Sequence, residues 1–340
     1  MKPKENVPLA LLTTMRVGGS ARYFFNVSTV EELREVLTFA KDNKLSFFIL
    51  GKGSNVIVPD EGYDGVVIKM EIVGIEYVKF GEKTRVISGA GERLDFLVNE
   101  TVKKKLYGLE NLSFIPGTVG ATPIQNTGSY GVEVKDVIEW VETINIDTFE
   151  IKKFSNKECN FKYRESFFKT PEGKKYIVIR VSFLLDTNGV LNIDYRDVTE
   201  YISEHKIKEV TLSILREIII AIRTKKFSGG KGTAGSFFKN PTISKEKLNK
   251  LLKVYPDLKY FPIENDDENV RVPAAWLLDH VGGWKGFREG NVGAWVNQPL
   301  FIVNHGGGTA EEIRVLSERI IEDIKQKTGI VLQREVQYLE

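Results

Sequence analysis

Tyr163 and Arg164 stand side by side in the segment ECNFKYRESFFK (158–169), a phenol next to a permanent cation. An arginine fork grips a carboxylate or a phosphate through two parallel hydrogen bonds. Taken alone, an arginine in such a pair is more often a surface ion-pair partner. Ser236 lies between Gly235 and the bulky pair Phe237-Phe238, so its hydroxyl could be held in a shaped, partly dry site. The plainer alternative is a turn serine bonded to its own backbone. Its setting is not the Gly-x-Ser-x-Gly elbow, and His205, His280 and His305 are all distant in sequence, which disfavours nucleophilic hydrolysis. Glu335 falls on the polar side of the chain's last predicted strand, where pattern alone makes it a solvated residue.

Two glycine-rich stretches could cradle an anion or a polar ring. Residues 115–131, IPGTVGATPIQNTGSYG, carry Gly117, Gly120, Gly128 and Gly131 with Pro116 and Pro123. Glycine allows positive φ and close approach of backbone to ligand, and bare N–H groups suit phosphate. A long connecting loop is the commoner meaning of such composition, but a loop this long inside a compact chain is usually functional. The second stretch, Gly51-Lys52-Gly53-Ser54-Asn55, follows the apolar run Phe47-Phe48-Ile49-Leu50 and precedes another, Val56-Ile57-Val58. It lacks the third glycine and the following helix of a dinucleotide fingerprint, and a tight hairpin turn is the ordinary alternative.

The composition excludes several classes. The chain has 340 residues, 42% hydrophobic and 28% charged, with a net charge of +2. That leaves room for two or three domains and gives no global field for nucleic acid or a membrane surface. A lone Cys159 rules out an intrachain disulfide, fits a reducing compartment and, with three scattered histidines, leaves no metal site. The first residues lack a signal-peptide cleavage site, and no apolar run reaches the length of a membrane span. The chain is expected to be cytoplasmic.

Alternating and helical periodicities supply the elements that must carry these groups. Thr29 and Glu32 have capping-box spacing at the start of a helix reaching Asn43, with Leu33, Val36, Leu37 and Ala40 on one face. Strands are predicted at 47–50, 65–70, 85–90, 137–146 and 176–185, and helices at 93–105, 243–254 and 273–281. A helix marked by Leu212, Leu215, Ile219 and Ile222 ends in Arg223-Thr224-Lys225-Lys226, ahead of the basic glycine-rich loop 228–235. Thr309 and Glu312 form a second capping box before the last helix. The final strand is predicted over 330–339, with Leu332, Val336 and Tyr338 on one side and Gln333, Glu335 and Gln337 on the other.

Singly these motifs are weak; their order and spacing are specific. GKGSNVIV (51–58), IPGTVGATPIQNTGSYGVEV (115–134), ECNFKYRESFFK (158–169), GTAGSFFKNP (232–241) and LQREVQYL (332–339) together resemble the UDP-N-acetylenolpyruvoylglucosamine reductase (MurB) family over nearly the whole chain. The resemblance implies an α+β fold: an FAD-binding fold of the vanillyl-alcohol-oxidase (PCMH) type in subdomains 1–69 and 70–220, then an α+β substrate-binding domain at 221–340. It implies FAD, held non-covalently, NADPH as co-substrate, and reduction of an enolpyruvyl ether in peptidoglycan precursor synthesis by a monomer. Arg164 matches the family's catalytic arginine, Glu335 its glutamate, and Ser236 the proton donor to the α-carbon. The cofactor-binding positions would be Gly51, Lys52, Gly53, Ser54, Asn55, Pro116, Gly117, Gly120, Ala121, Gln125, Asn126, Gly128, Tyr130 and Gly131. The UDP-sugar would be met by Tyr163, Tyr195, Lys226, Lys239 and Asn240. Tyr195, in Ile193-Asp194-Tyr195-Arg196-Asp197, stands where the longer type of the family keeps a tyrosine that closes over the nucleotide. The chain departs from the pattern in SGGKG at 228–232, where relatives often carry a proline. Two other readings stay open at this point, a flavin oxidase of the same superfamily and a non-catalytic UDP-sugar binding protein.

Overall fold

A computed structural model describes residues 1–227 and 230–339. Ser228 and Gly229, in the basic loop singled out above, and Glu340 lie outside the described residues. The chain forms two compact units, one of residues Met1–Val7, Ala21–Lys52 and Asp64–Lys225, the other of Pro8–Ser20, Gly53–Tyr63 and Lys226–Glu340.

The first unit contains two larger sheets and a two-stranded hairpin of Gly128–Ser129 with Val132–Glu133. One has the strand order Lys4–Pro8, Ser20–Val27, Tyr63–Met70, Phe47–Leu50, and its last two strands run parallel with Phe47 opposite Val66. The helix Val30–Asp42 begins at Thr29, whose side chain accepts the Glu32 N–H while Glu32 reaches back, the reciprocal cap its spacing predicted. The second sheet is antiparallel, in the order Ile151–Ser155, Ile138–Asn145, Tyr176–Asp186, Lys83–Gly89, Ile75–Phe80. Leu33, Leu37, Val66, Ile68, Leu97, Val98, Val181 and Phe183 are buried in one core. A smaller cluster of Val198, Leu215, Ile219, Ile222 and Tyr130 lies under the helices Arg196–Glu204 and Leu212–Lys226.

The second unit has a four-stranded antiparallel sheet in the order Gly232–Ser236, Gln298–Asn304, Val292–Trp295, Arg288–Glu289. The helix Ala310–Thr328, capped by Thr309 and Glu312 as expected, packs on it around Ile302, Ile313, Leu316 and Ile320. A three-stranded sheet of Thr242–Ser244, Asp266–Arg271 and Phe261–Ile263 stands beside the helix Lys245–Val254.

Three local expectations are corrected. The run 51–55 is not a hairpin turn, because Phe47–Leu50 pairs with Tyr63–Met70 while Val56–Ile57 pairs in parallel with Gln337–Tyr338. The predicted final strand over 330–339 contracts to Gln337–Tyr338 and a single bridge at Arg334, since its partners are short segments distant in sequence. The predicted helix 273–281 is α-helical only at Ala274–Trp276 and continues as a π-helix over Leu277–Val281.

Candidate active site

In the first unit the loop 115–131 is laid along residues 90–94 by backbone hydrogen bonds. Leu94 N–H donates to the Gly117 carbonyl (3.2 Å), Val119 N–H to Glu92 (2.9 Å) and Gly120 N–H to Ala90 (2.9 Å). A Cβ at Gly120 would lie 2.6 Å from that of Ala90, so this contact requires glycine. Phe114, Asn126 and Tyr130 all have left-handed backbone, with φ of 59°, 45° and 48°. For non-glycine residues that costs about 1–2 kcal/mol each, and such strain gathers where the surroundings over-determine a functional loop. Asn126 shows how: fully buried, it donates to Glu133 Oε2 (2.9 Å) and the Lys162 carbonyl (3.1 Å) and accepts the Lys135 N–H (3.1 Å). Its side chain is thus spent within the protein.

Arg164 is left-handed too, with φ of 55°. Its Nη2 donates to the Gly128 carbonyl (3.0 Å), and Lys169 Nζ donates to the Arg164 carbonyl (2.8 Å). Its guanidinium lies 5.4 Å from the centre of the Tyr163 ring. A second guanidinium joins the group. Arg223 Nη2 donates to Ser129 Oγ (2.6 Å), its plane lies over the Tyr130 ring at 5.1 Å, and its buried Nε has no hydrogen-bond partner among the described residues. Burial, and the charge of Arg164, push the Arg223 guanidinium below its ordinary range. Tyr195 meets Tyr130 edge to face at 5.2 Å and immediately precedes the helix Arg196–Glu204.

The helix that carries Arg223 is anchored by Arg216, which binds both oxygens of Asp95 (2.6 and 3.1 Å). Asp95 also accepts the Phe114 N–H (2.6 Å), so one carboxylate ties that helix to the start of the glycine-rich loop. Burial would raise the Asp95 pKa, but the Arg216 and Phe114 hydrogen bonds, with the charges of Arg216 and Arg93, hold it below the usual carboxylate range. Further along the same unit, Lys69 Nζ donates to the Gly51 carbonyl. Burial first, and then the charge of Lys52, lower the Lys69 ammonium from its ordinary value. Gly51 packs so closely on the other loop that a Cβ would lie 2.7 Å from Thr118 Oγ1.

In the second unit Gly53 is left-handed, and a Cβ there would stand 2.5 Å from the Leu12 carbonyl and 2.7 Å from Thr13 Cα. Asn55 links this turn to the C-terminal segment: its Nδ2 donates to the Glu335 carbonyl (3.3 Å), and its own carbonyl accepts the Gln337 N–H (3.1 Å). Glu335 N–H donates to Phe237 (2.8 Å) and Lys239 N–H to Gln333 (2.9 Å), with Phe238 bridged to Arg334. This short ladder sets Ser236 one residue beyond the rung that holds Glu335. Gly235, with φ of 77°, lies at a register shift between Thr233 and Ser236, a bulge that re-aims the serine. Asn240 Oδ1 accepts the Ala274 N–H (2.9 Å), and the Trp295 indole donates to the Lys226 carbonyl (3.0 Å).

The sequence-derived site residues therefore fall into two sets. Gly51, Lys52, the 116–131 positions, Tyr163, Arg164 and Tyr195 belong to the first unit; Gly53, Ser54, Asn55, Lys226, Ser236, Lys239, Asn240 and Glu335 belong to the second. Sequence reasoning missed Arg223, Arg216 and Lys69. A signal was there for the arginines: at four residues after Leu212 and after Ile219, they border the buried stripe of their helix.

Comparisons with known proteins agree on one family. Residues 227–339 match the family model of the UDP-N-acetylenolpyruvoylglucosamine reductase C-terminal domain, and residues 21–153 match an FAD binding domain. The chain is 36% identical to a UDP-N-acetylenolpyruvoylglucosamine reductase of Amoebophilus asiaticus, over 100% of both chains. It is 36% identical to one of Pseudomonas aeruginosa, over 98% of this chain and 97% of that protein. Its structure resembles the crystal structure of the corresponding Thermus caldophilus protein with a TM-score of 0.67 and 26% identity, over 100% of both chains.

Proposed function

The chain belongs to the UDP-N-acetylenolpyruvoylglucosamine reductase family, and from that membership we propose that it reduces the enolpyruvyl ether of a UDP-amino sugar with electrons from NADPH. It is an FAD-dependent oxidoreductase with an α+β fold. Among the described residues no helix is long and apolar enough to cross a membrane. We divide it into FAD-binding subdomains at 1–69 and 70–220 and a substrate-binding domain at 221–340.

The residues present fit the cofactor. Lys52 lies within the glycine-rich turn, Lys69 Nζ donates to its Gly51 carbonyl, and Arg223 has a buried Nε without a hydrogen-bond partner among the described residues. Such a donor set suits a diphosphate and the carbonyl edge of a polar ring. Gly51, Lys52, Gly53, Ser54, Asn55 and the 116–131 positions would hold FAD, largely through backbone groups. When bound, FAD would supply the hydride-transfer chemistry between NADPH and the β-carbon of the enolpyruvyl group. The chain's own residues manage charge and protons. Arg164 binds the substrate carboxylate and, with Arg223 beside it, offers fixed positive charge where negative charge develops. Glu335 orients the same end of the substrate. Ser236 gives a proton to the α-carbon, and because an ordinary alcohol is a poor acid, a neighbour such as Glu335 or Lys226 must assist it. Tyr163, Tyr195, Lys226, Lys239 and Asn240 bind the remote UDP part. The net change is one hydride and one proton added across the carbon–carbon double bond as NADPH becomes NADP⁺. This reaction would supply a peptidoglycan precursor.

The ladder pairing 237–239 with 333–335 supports this reading, because Glu335 N–H donates to Phe237, the residue that follows Ser236, and so the two candidates lie close along the backbone of one unit. Anaerobic stopped-flow tests it. Ser236→Ala should be reduced by NADPH as fast as the parent, while reoxidation by the enolpyruvyl substrate slows about 10²-fold or more. Ser236→Cys should regain part of that loss. Equal slowing of both half-reactions would overturn the proton-donor role.

A further inference from the structure

Asn111 sits in the turn Glu110–Leu112 with none of its surface exposed to solvent. Its Nδ2 donates to two carbonyls in different segments, Tyr130 (2.9 Å) and Asn192 (2.9 Å). Tyr130 is in the glycine-rich loop, and Asn192 precedes Tyr195 by three residues in a stretch with no helix or strand of its own. Two more links join the same segments: Asn192 Nδ2 donates to the Gly131 carbonyl (3.2 Å), and the rings of Tyr130 and Tyr195 meet edge to face. The arrangement has a cost. Asn111 Oδ1 is buried without a partner among the described residues, a penalty of about 1–3 kcal/mol that a leucine of similar volume would avoid. A buried polar group that is left half-satisfied calls for a reason other than packing.

We propose that Asn111 is a positioning residue that joins the glycine-rich loop to the segment carrying Tyr195, so that the seating of one sets the place of the other. The proposal rests on the reading of Tyr195 as a nucleotide contact. Asn111 would not touch the substrate. It acts by holding two backbone carbonyls, that of Tyr130 in the turn of the hairpin Gly128–Ser129/Val132–Glu133 and that of Asn192 in a stretch with no helix or strand, and it does so from the core, where solvent does not compete for its donors.

The test uses the FAD-loaded enzyme and three variants: Asn111→Leu, Tyr195→Phe and the double variant. Asn111→Leu should keep its flavin and be reduced by NADPH within about twofold of the parent rate, while KM for the enolpyruvyl substrate rises about tenfold. In the double variant KM should rise no further, because the tyrosine is already displaced; residues acting as one unit give such non-additive effects. Full additivity, or loss of flavin with both half-reactions slowed alike, would overturn the join and leave Asn111 a packing residue. Should Asn111→Leu fail to fold, Asn192→Ala removes only the bond to Gly131. It should raise KM about threefold, again without adding to Tyr195→Phe. A Tyr195→Phe variant with unchanged KM would instead sink the nucleotide reading of Tyr195, separately from the join.

Discussion

Arg164 and Ser236 are both aimed by left-handed backbone, but the two units achieve it by opposite means. In the first unit the left-handed residue is the arginine itself, and side chains keep it there. Lys169 Nζ holds its carbonyl, its own Nη2 holds Gly128, and Ser166 Oγ donates to the Ile124 carbonyl (2.7 Å) on the adjoining loop. In the second unit the left-handed conformation falls on Gly235, and Ser236 is placed by sheet register and the ladder to 333–335. Glycine adopts that conformation at little cost, whereas arginine stores strain that neighbours must offset. One site residue can therefore be adjusted by substituting distant side chains, and the other only by changing the backbone that precedes it.

Among changes to the residues that aim these two side chains, Gly235→Ala should have the largest effect. A Cβ at Gly235 meets nothing within 4 Å, so only the backbone opposes it, at about 1–2 kcal/mol. The bulge would relax and turn the serine away, slowing reoxidation by the enolpyruvyl substrate about tenfold while NADPH still reduces the flavin normally. Unchanged turnover would show that register alone aims Ser236 and would break the comparison at its simplest point. Lys169→Met should do less. It removes the bond to the Arg164 carbonyl but leaves the guanidinium bond to Gly128, so kcat/KM should fall about three- to fivefold. Lys169→Arg, which keeps a donor, should recover most of that loss in the same steady-state assay. A loss as large as that from deleting Arg164 would mean that the arginine has no second support.

The same contrast explains what was legible in the sequence. Both capping boxes, at Thr29 and Thr309, were readable because all their partners lie within three residues. The alternation at the C-terminus correctly placed Leu332 and Val336 inside and Gln333 and Gln337 outside. The strand was nevertheless read too long, since its pairing with 237–239 and with Val56–Ile57 depends on segments distant in the chain. Gly53 is among the cofactor-binding positions that the resemblance implies, yet the contacts that demand glycine come from Leu12 and Thr13, some forty residues earlier. The partners of Arg223 and Asn111 are not legible in the sequence for the same reason. Nothing within a few residues of either tells that its partners are Ser129, Tyr130 and Asn192.

The smallest effect, and the sharpest test of a side-chain-held first unit, concerns Asp95. Its carboxylate ties Arg216, in the helix that carries Arg223, to the Phe114 N–H at the start of the glycine-rich loop. The pair is largely shielded, with side-chain exposures of 23% for Asp95 and 12% for Arg216. The folded-state pKa of Asp95 is depressed, so its contribution is present above the unfolded carboxylate value of about 3.9 and is lost as pH falls through the folded value. Asp95→Asn should lower the melting temperature by about two to six degrees near neutral pH, for a loss of roughly 1–2 kcal/mol. The gap between parent and variant should narrow once the pH drops below about 4, as the parent protonates the same group. Hydrogen exchange should localise the loss to residues 93–114 and 212–223, leaving protection in 232–240 unchanged. Equal loss of protection in 232–240 would mean that the two units do not owe their order to different kinds of bond. A gap that widens on acidification would mean that the Asp95 carboxylate is not held in its charged form by Arg216 at all.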